Sequence, residues 1–260
     1  MLSKKKIVAA IPLEGVIKTG GLCLESVRDQ IDKAYAAEPI MVALMVSSPG
    51  GSPYQSQQIH DYIRGKRNNT DIPTVTFVED VAASGGYFIA LAGDKIIASA
   101  FSLVGSIGVV GGGFGFVGAL EKLGIERRIY TSGVNKVKLD PFSPEKESDK
   151  AWISGIQNNI HEIFINHVVK RRGDQGCHLD PRNFDSLFNG DLWLGGTAAN
   201  NGIVDQVGGL SEYVSSKYGD DIKIQYFRKK KPFFSRLFSK ASTQIFLTME
   251  DRIMRSQLGI

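Results

Sequence analysis

Short apolar runs alternate along this chain with stretches whose apolar residues recur at helical spacing. Residues 6–13 predict a first strand, residues 24–37 a helix, and residues 40–46 a second, short apolar strand. A polar amphipathic helix is expected over 52–68 and a β-branched, aromatic strand over 72–78. Residues 84–92 then read as a helix with no internal charge. Further strands are expected at 95–98, 106–109 and 126–131, with helices at 117–123 and, long and amphipathic, at 145–171. Pro141 and Pro144 mark 140–149 as a loop, and 171–183 mixes glycine, charge and proline in another. Residues 192–199 read as a packed Trp193 followed by a helix start. Alternation of this kind implies an α/β fold of repeated βαβ units with a mainly parallel sheet.

The chain has 260 residues, enough for one such domain with an extension. We divide it at 1–226 for the domain and 227–260 for the extension. The extension opens with six basic residues and no acid between Arg228 and Lys240, interleaved with Phe233, Phe234, Leu237 and Phe238. Apolar spacing continues through Ile245, Phe246, Met249 and Ile253. Three readings stay open for this tail: contact with an anionic membrane surface, docking on a neighbouring subunit, or a solvated segment. The net charge of +4 is too small and dispersed to suggest nucleic acid. Cys23 and Cys177 lack CxxC spacing, which suits a reducing compartment, and no motif has metal-ligand spacing. No segment reaches the ~20 apolar residues of a membrane span. The expected location is therefore cytoplasmic, with peripheral membrane contact as the alternative. No cofactor is expected.

Ser84 stands among Ala82, Ala83, Gly85 and Gly86, between a predicted strand and a predicted helix. Small neighbours leave room for a substrate chain, and a helix N-terminus favours negative charge. A serine hydroxyl is a poor nucleophile until a base removes its proton. An amine can serve, provided burial brings a lysine down from about 10.4. Lys136 follows an uncharged stretch, 130–135, and is the candidate base; Lys138 is its rival. Gly50 and Gly51, in Ser48-Pro49-Gly50-Gly51, offer backbone N–H groups for an oxyanion. Ser106, in Gly105-Ser106-Ile107-Gly108, could orient the lysine amine. Each has a plainer reading. Ser84 could be only an N-cap, the glycines a positive-φ turn, and Ser106 a solvated loop serine. His60, His161, His167 and His178 stand in no triad signature such as GxSxG and read as packed or solvated.

These four motifs, in this order, resemble those of the signal peptide peptidase A / SohB family of serine peptidases. The resemblance runs from about Ile7 to about Val214. It implies a crotonase/ClpP-like core and a serine endopeptidase with a Ser–Lys dyad. Ser84 would be the nucleophile, Lys136 the general base and Ser106 the residue that orients it. The oxyanion hole would be built from Gly51, with Gly50 beside it, and Gly85. The implied substrates are peptides or unfolded, including membrane-derived, segments, and the implied assembly is a homo-oligomer. Two other functions remain in view: a crotonase-type acyl-CoA enzyme on the same fold, and a catalytically silent scaffold.

Overall fold

The structure is a computed structural model that describes residues 6–177 and 179–228. The tail beyond Arg228, with its three readings, and His178 lie outside the described residues. In chain order the strands are β1 (Ile7–Glu14), β2 (Met41–Ser48), β3 (Thr74–Ala83), β4 (Lys95–Ala98), β5 (Leu103–Gly105), β6 (Leu192–Leu194), β7 (Gln206–Val207) and β8 (Lys223–Tyr226). The helices are α1 (Leu24–Ala36), α2 (Pro53–Thr70), α3 (Gly85–Ala90), α4 (Val117–Lys122), α5 (Glu147–Asp174), α6 (Phe184–Leu187), α7 (Gly195–Asn200) and α8 (Leu210–Tyr218).

The sheet runs β6-β5-β3-β2-β1-β8, and β4 and β7 branch from β3. Every pairing is parallel except β5 with β6. Parallel neighbours need long crossovers, and here α1, α2 and α3 supply them between the first four strands. β2 lies at the centre. Its Met41–Val46 run is buried throughout, because helices cover both faces of the sheet. Ile11, Leu44 and Ile89 pack on one face with α1 and α2; Ala43, Phe77 and Leu210 pack on the other with α8.

β3 changes partner along its length. Val75–Val78 pairs with β4, and Val81–Ala83 pairs with β5. Against β2, its register slips between Val46 and Ser48, so β3 carries extra residues there. Such a bulge re-aims the end of a strand. Here it directs the strand's last residues toward the loop that follows β2.

α6, β6, β7, α8 and β8 are not among the expected elements, and three of the expected ones differ from this fold. β3 extends through Glu79 and Asp80 to Ala83, because its second half finds a new partner in β5. The strand expected at 106–109 lies earlier, at Leu103–Gly105; the segment that pairs is the one that reaches β3. Residues 126–131 form no strand: they are exposed, and no strand of the described chain lies beside them. β-propensity without a partner strand does not make a sheet. Among the described residues, no helix is long and apolar enough to cross a membrane.

A buried ion pair fastens α5 to the sheet. Arg172 has no exposed surface. Its guanidinium donates to both carboxylate oxygens of Asp205, at 3.0 and 3.3 Å, to the Gly202 carbonyl at 2.8 Å and to the Cys177 sulfur at 3.0 Å. Burial works to raise the Asp205 carboxyl, but Arg172 and the Ile96 N–H outweigh it and hold the group below its usual range. Removing one partner leaves the other buried and uncompensated. Arg172→Leu should therefore cost about 3–5 kcal/mol, read as a shifted midpoint in urea denaturation. A change near zero would show that water reaches Asp205.

Candidate active site

β3 ends by delivering Ser84 to the start of α3. Ser84 sits at φ 52° and ψ −120°, a conformation that L-residues rarely adopt. Holding a non-glycine there costs about 1–3 kcal/mol, and such residues collect at functional sites. Two backbone bonds fix it: its N–H donates to the Gly105 carbonyl at 2.8 Å, and its carbonyl accepts from Phe88 N–H at 3.0 Å. Ser84 occupies the N-cap position, yet its hydroxyl makes no cap bond. Capping thus explains the position but leaves the side chain unused.

The turn after β2 packs directly against this serine. Gly50 has φ +100°, and a Cβ on it would lie 2.9 Å from Ser84 Cβ and 2.8 Å from the Ala83 carbonyl. Its N–H donates to Ser48 Oγ at 3.2 Å, and Ser48 Oγ in turn donates to the Gly15 carbonyl at 2.7 Å. Gly51 has φ +142° and forms a parallel bridge with Ile17. That bridge uses the Gly50 carbonyl and the Ser52 N–H, so the Gly51 N–H points away from Ile17. Gly85 packs beside it: an added Cβ there would lie 3.4 Å from Gly51 N. As the first residue of α3, Gly85 has an N–H with no intrahelical acceptor. The N–H groups of Gly51 and Gly85, neither with a backbone acceptor among the described residues, thus lie close to Ser84.

Ser106 lies next to this arrangement. Gly105 is in register with Ala83, so Ser84 and Ser106 leave the sheet side by side. Ser106 is also at positive φ, 51°, and its N–H donates to the Asp191 carbonyl at 2.6 Å. The Trp193 ring backs Gly105 so closely that a Cβ there would approach it to 2.7 Å. The packed Trp193 expected from sequence therefore sets the strand that holds Ser84. From α5, His161 Nε2 donates to the Ile107 carbonyl at 3.0 Å and ties down the loop after Ser106.

The two lysines behave differently. Lys138 is bound: its ammonium lies 3.6 Å from Asp149 and over the Trp152 ring at 5.0 Å. Lys136 is exposed, its N–H bonded to the Gly133 carbonyl at 3.2 Å. Among the described residues it has no ion pair, and no hydrogen bond joins it to Ser84 or Ser106. The structure brings Ser84, Ser106, Gly50, Gly51 and Gly85 together and leaves Lys136 on the surface of the single chain. Sequence reasoning quoted Ser48 in its motif without a role and overlooked Ile17; both brace the glycine turn, and only the fold reveals it.

Gly50→Ala would force a strained φ and a backbone collision at once. The variant should lose at least about 1–3 kcal/mol of stability, measured by thermal unfolding, whereas Gly65→Ala on the open face of α2 should not. Equal stability in the two variants would contradict this packing.

The model of peptidase family S49 matches residues 66–221, which include Ser84, Ser106 and Lys136 but not Gly50 or Gly51. Two Brucella proteins named Na(+)/H(+) antiporter NhaA, from B. abortus and B. melitensis, are 43% identical over 237 residues. That match covers 88% of this chain and 31% of theirs. A putative signal peptide peptidase SppA of Enterococcus faecium is 36% identical over 167 residues, covering 64% of this chain and 47% of its own length. The chain thus spans less than half the length of these curated relatives. Among solved structures, a mutant of the 1510-N membrane-bound stomatin-specific protease in complex with a substrate peptide aligns over 92% of this chain and 99% of its own. The TM-score is 0.53 at 15% identity. That likeness shows a shared ClpP/crotonase-like fold.

Proposed function

The chain belongs to peptidase family S49, and from that membership and the geometry at Ser84 we propose that it is a serine endopeptidase with a Ser84–Lys136 dyad. One observation carries the reading. Ser84 is held in a strained conformation with its hydroxyl unused, against two N–H groups with no local acceptor. Neither an acyl-CoA enzyme nor a silent scaffold gives that strain a use.

In this reading Ser84 Oγ attacks a peptide carbonyl carbon while its proton passes to Lys136 Nζ. The oxyanion lies between the Gly51 and Gly85 N–H groups, and Gly50 allows the close approach. The carbon–nitrogen bond breaks, the leaving amine takes the proton from lysine, and an ester to Ser84 remains. Water, deprotonated by the same lysine, hydrolyses that ester. Ser106 orients the amine. Extended peptides are the proposed substrates; exposed Val16 and Tyr54, beside the glycine turn, offer them apolar contact. The free thiols of Cys23 and Cys177 suit a cytoplasmic setting.

A lysine acts as a base only when neutral, and water around it favours the ammonium. Lys136 is exposed here, on a segment that also leaves Val110, Tyr130 and Val134 bare. The reading therefore includes a second copy of the chain, which covers this segment and completes the site.

Wild type should cleave an unstructured fluorogenic peptide. Ser84→Ala should fall to background, and Lys136→Arg should lose about a hundredfold or more, because arginine stays protonated. Full activity in either variant would end the dyad assignment. Mixing Ser84→Ala with Lys136→Ala should restore cleavage that neither shows alone. No recovery, at concentrations where the chains associate, would place both residues in one chain.

A further inference from the structure

The helix that carries Ser84 is gripped from beneath by two matching pairs of side chains. α2 contributes His60 and, one turn on, Arg64; α5 contributes His167 and, one turn on, Arg171. The two guanidiniums bind the carbonyls where α3 ends. Arg171 donates to Leu91 at 3.1 Å and Gly93 at 3.3 Å, and Arg64 donates to Ala92 at 3.3 Å. The two imidazoles hold Phe88, the fourth residue of α3. His167 stacks on that ring at 4.1 Å and 8°, His60 meets its edge at 5.4 Å, and the imidazoles touch each other at 4.5 Å.

His60 and His167 each keep an Nε2 atom buried without a hydrogen bond. The charges facing them are mostly positive: Arg64 and Arg171 beside His60, and Arg171 and Lys170 beside His167. Asp61 is the counter-charge, accepting from His60 Nδ1 at 2.8 Å, and it is half exposed. Asp94 and Asp174 are taken up by the arginines.

We propose that His60 and His167 are positioning residues for Ser84: as neutral rings they seat Phe88, and protonation unseats α3 and withdraws Ser84, with the Gly85 N–H, from the Gly50-Gly51 turn. This rests on the serine-peptidase reading for its consequence, not for its geometry. Burial, then the neighbouring positive charge, pushes His60 down to about 3 and His167 likewise to about 3, from 6.5. The seated state therefore holds both rings neutral. Its stability is complete above about pH 6.5 and is lost as pH falls toward 3.

The test is hydrogen exchange by mass spectrometry on full-length chain, from about pH 7 to about pH 4, corrected for the intrinsic exchange rate. In wild type, amides of 84–93 should lose protection as pH falls, ahead of those in α1. In the His60→Phe/His167→Phe double variant, whose rings cannot charge, that selective loss should vanish. Equal acid-induced opening of 84–93 in both proteins, or no opening in wild type, would overturn the proposal. If the double variant fails to fold, His167→Phe alone should halve the proton dependence, and an unchanged dependence counts against it. Peptide cleavage gives a separate arm. Phe88→Ala should lower kcat on the order of a hundredfold with KM unchanged, whereas a change confined to KM would contradict positioning. A wild type without cleavage but with the predicted exchange would refute the peptidase reading and leave the clamp standing.

Discussion

Everything at this site depends on the close approach of Gly50 to Ser84. The two segments meet at a distance where a Cβ on Gly50 would collide with the serine's own Cβ and with the Ala83 carbonyl. Only a residue without a side chain permits it. That contact brings Gly51 and Gly85 close to Ser84. Ser84 tolerates its positive φ because the surroundings over-determine it: Gly105 holds its N–H, Phe88 N–H holds its carbonyl, and the glycine turn blocks retreat.

The rest of the fold serves this contact in layers. β2 and β3 are paired in the sheet, and the bulge between them lets their ends converge. Ser48 and Ile17 brace the turn, and Trp193 presses on Gly105 from the other side. Beneath, α2 and α5 fix the depth of α3 through Phe88 and the carbonyls that follow it. Arg172 and Asp205 then lock α5 to the strand that begins at Lys95, so the platform does not slide.

Much of this was legible in the residues. The Pro49-Gly50-Gly51 turn, Ser84 between small residues and the helix behind it all follow from local chemistry that the structure keeps. What local chemistry cannot show is partnership. Residues 126–131 have a strand's composition but meet no strand edge among the described residues. The pairing near Ser106 lies instead at Leu103–Gly105, the segment that reaches the end of β3. His60 and His167 read from sequence only as packed or solvated; their convergence under one helix is a property of the fold. Lys136 shows the same limit most plainly. The family resemblance implies that it is the base, while among the described residues it stands exposed.

The most direct measurement is covalent labelling by a fluorophosphonate, with the modified residue located by mass spectrometry. The account predicts a single adduct on Ser84 Oγ in wild type and its loss in Lys136→Ala. An adduct on Ser106 or another serine, or equal labelling of Ser84 without Lys136, would contradict it.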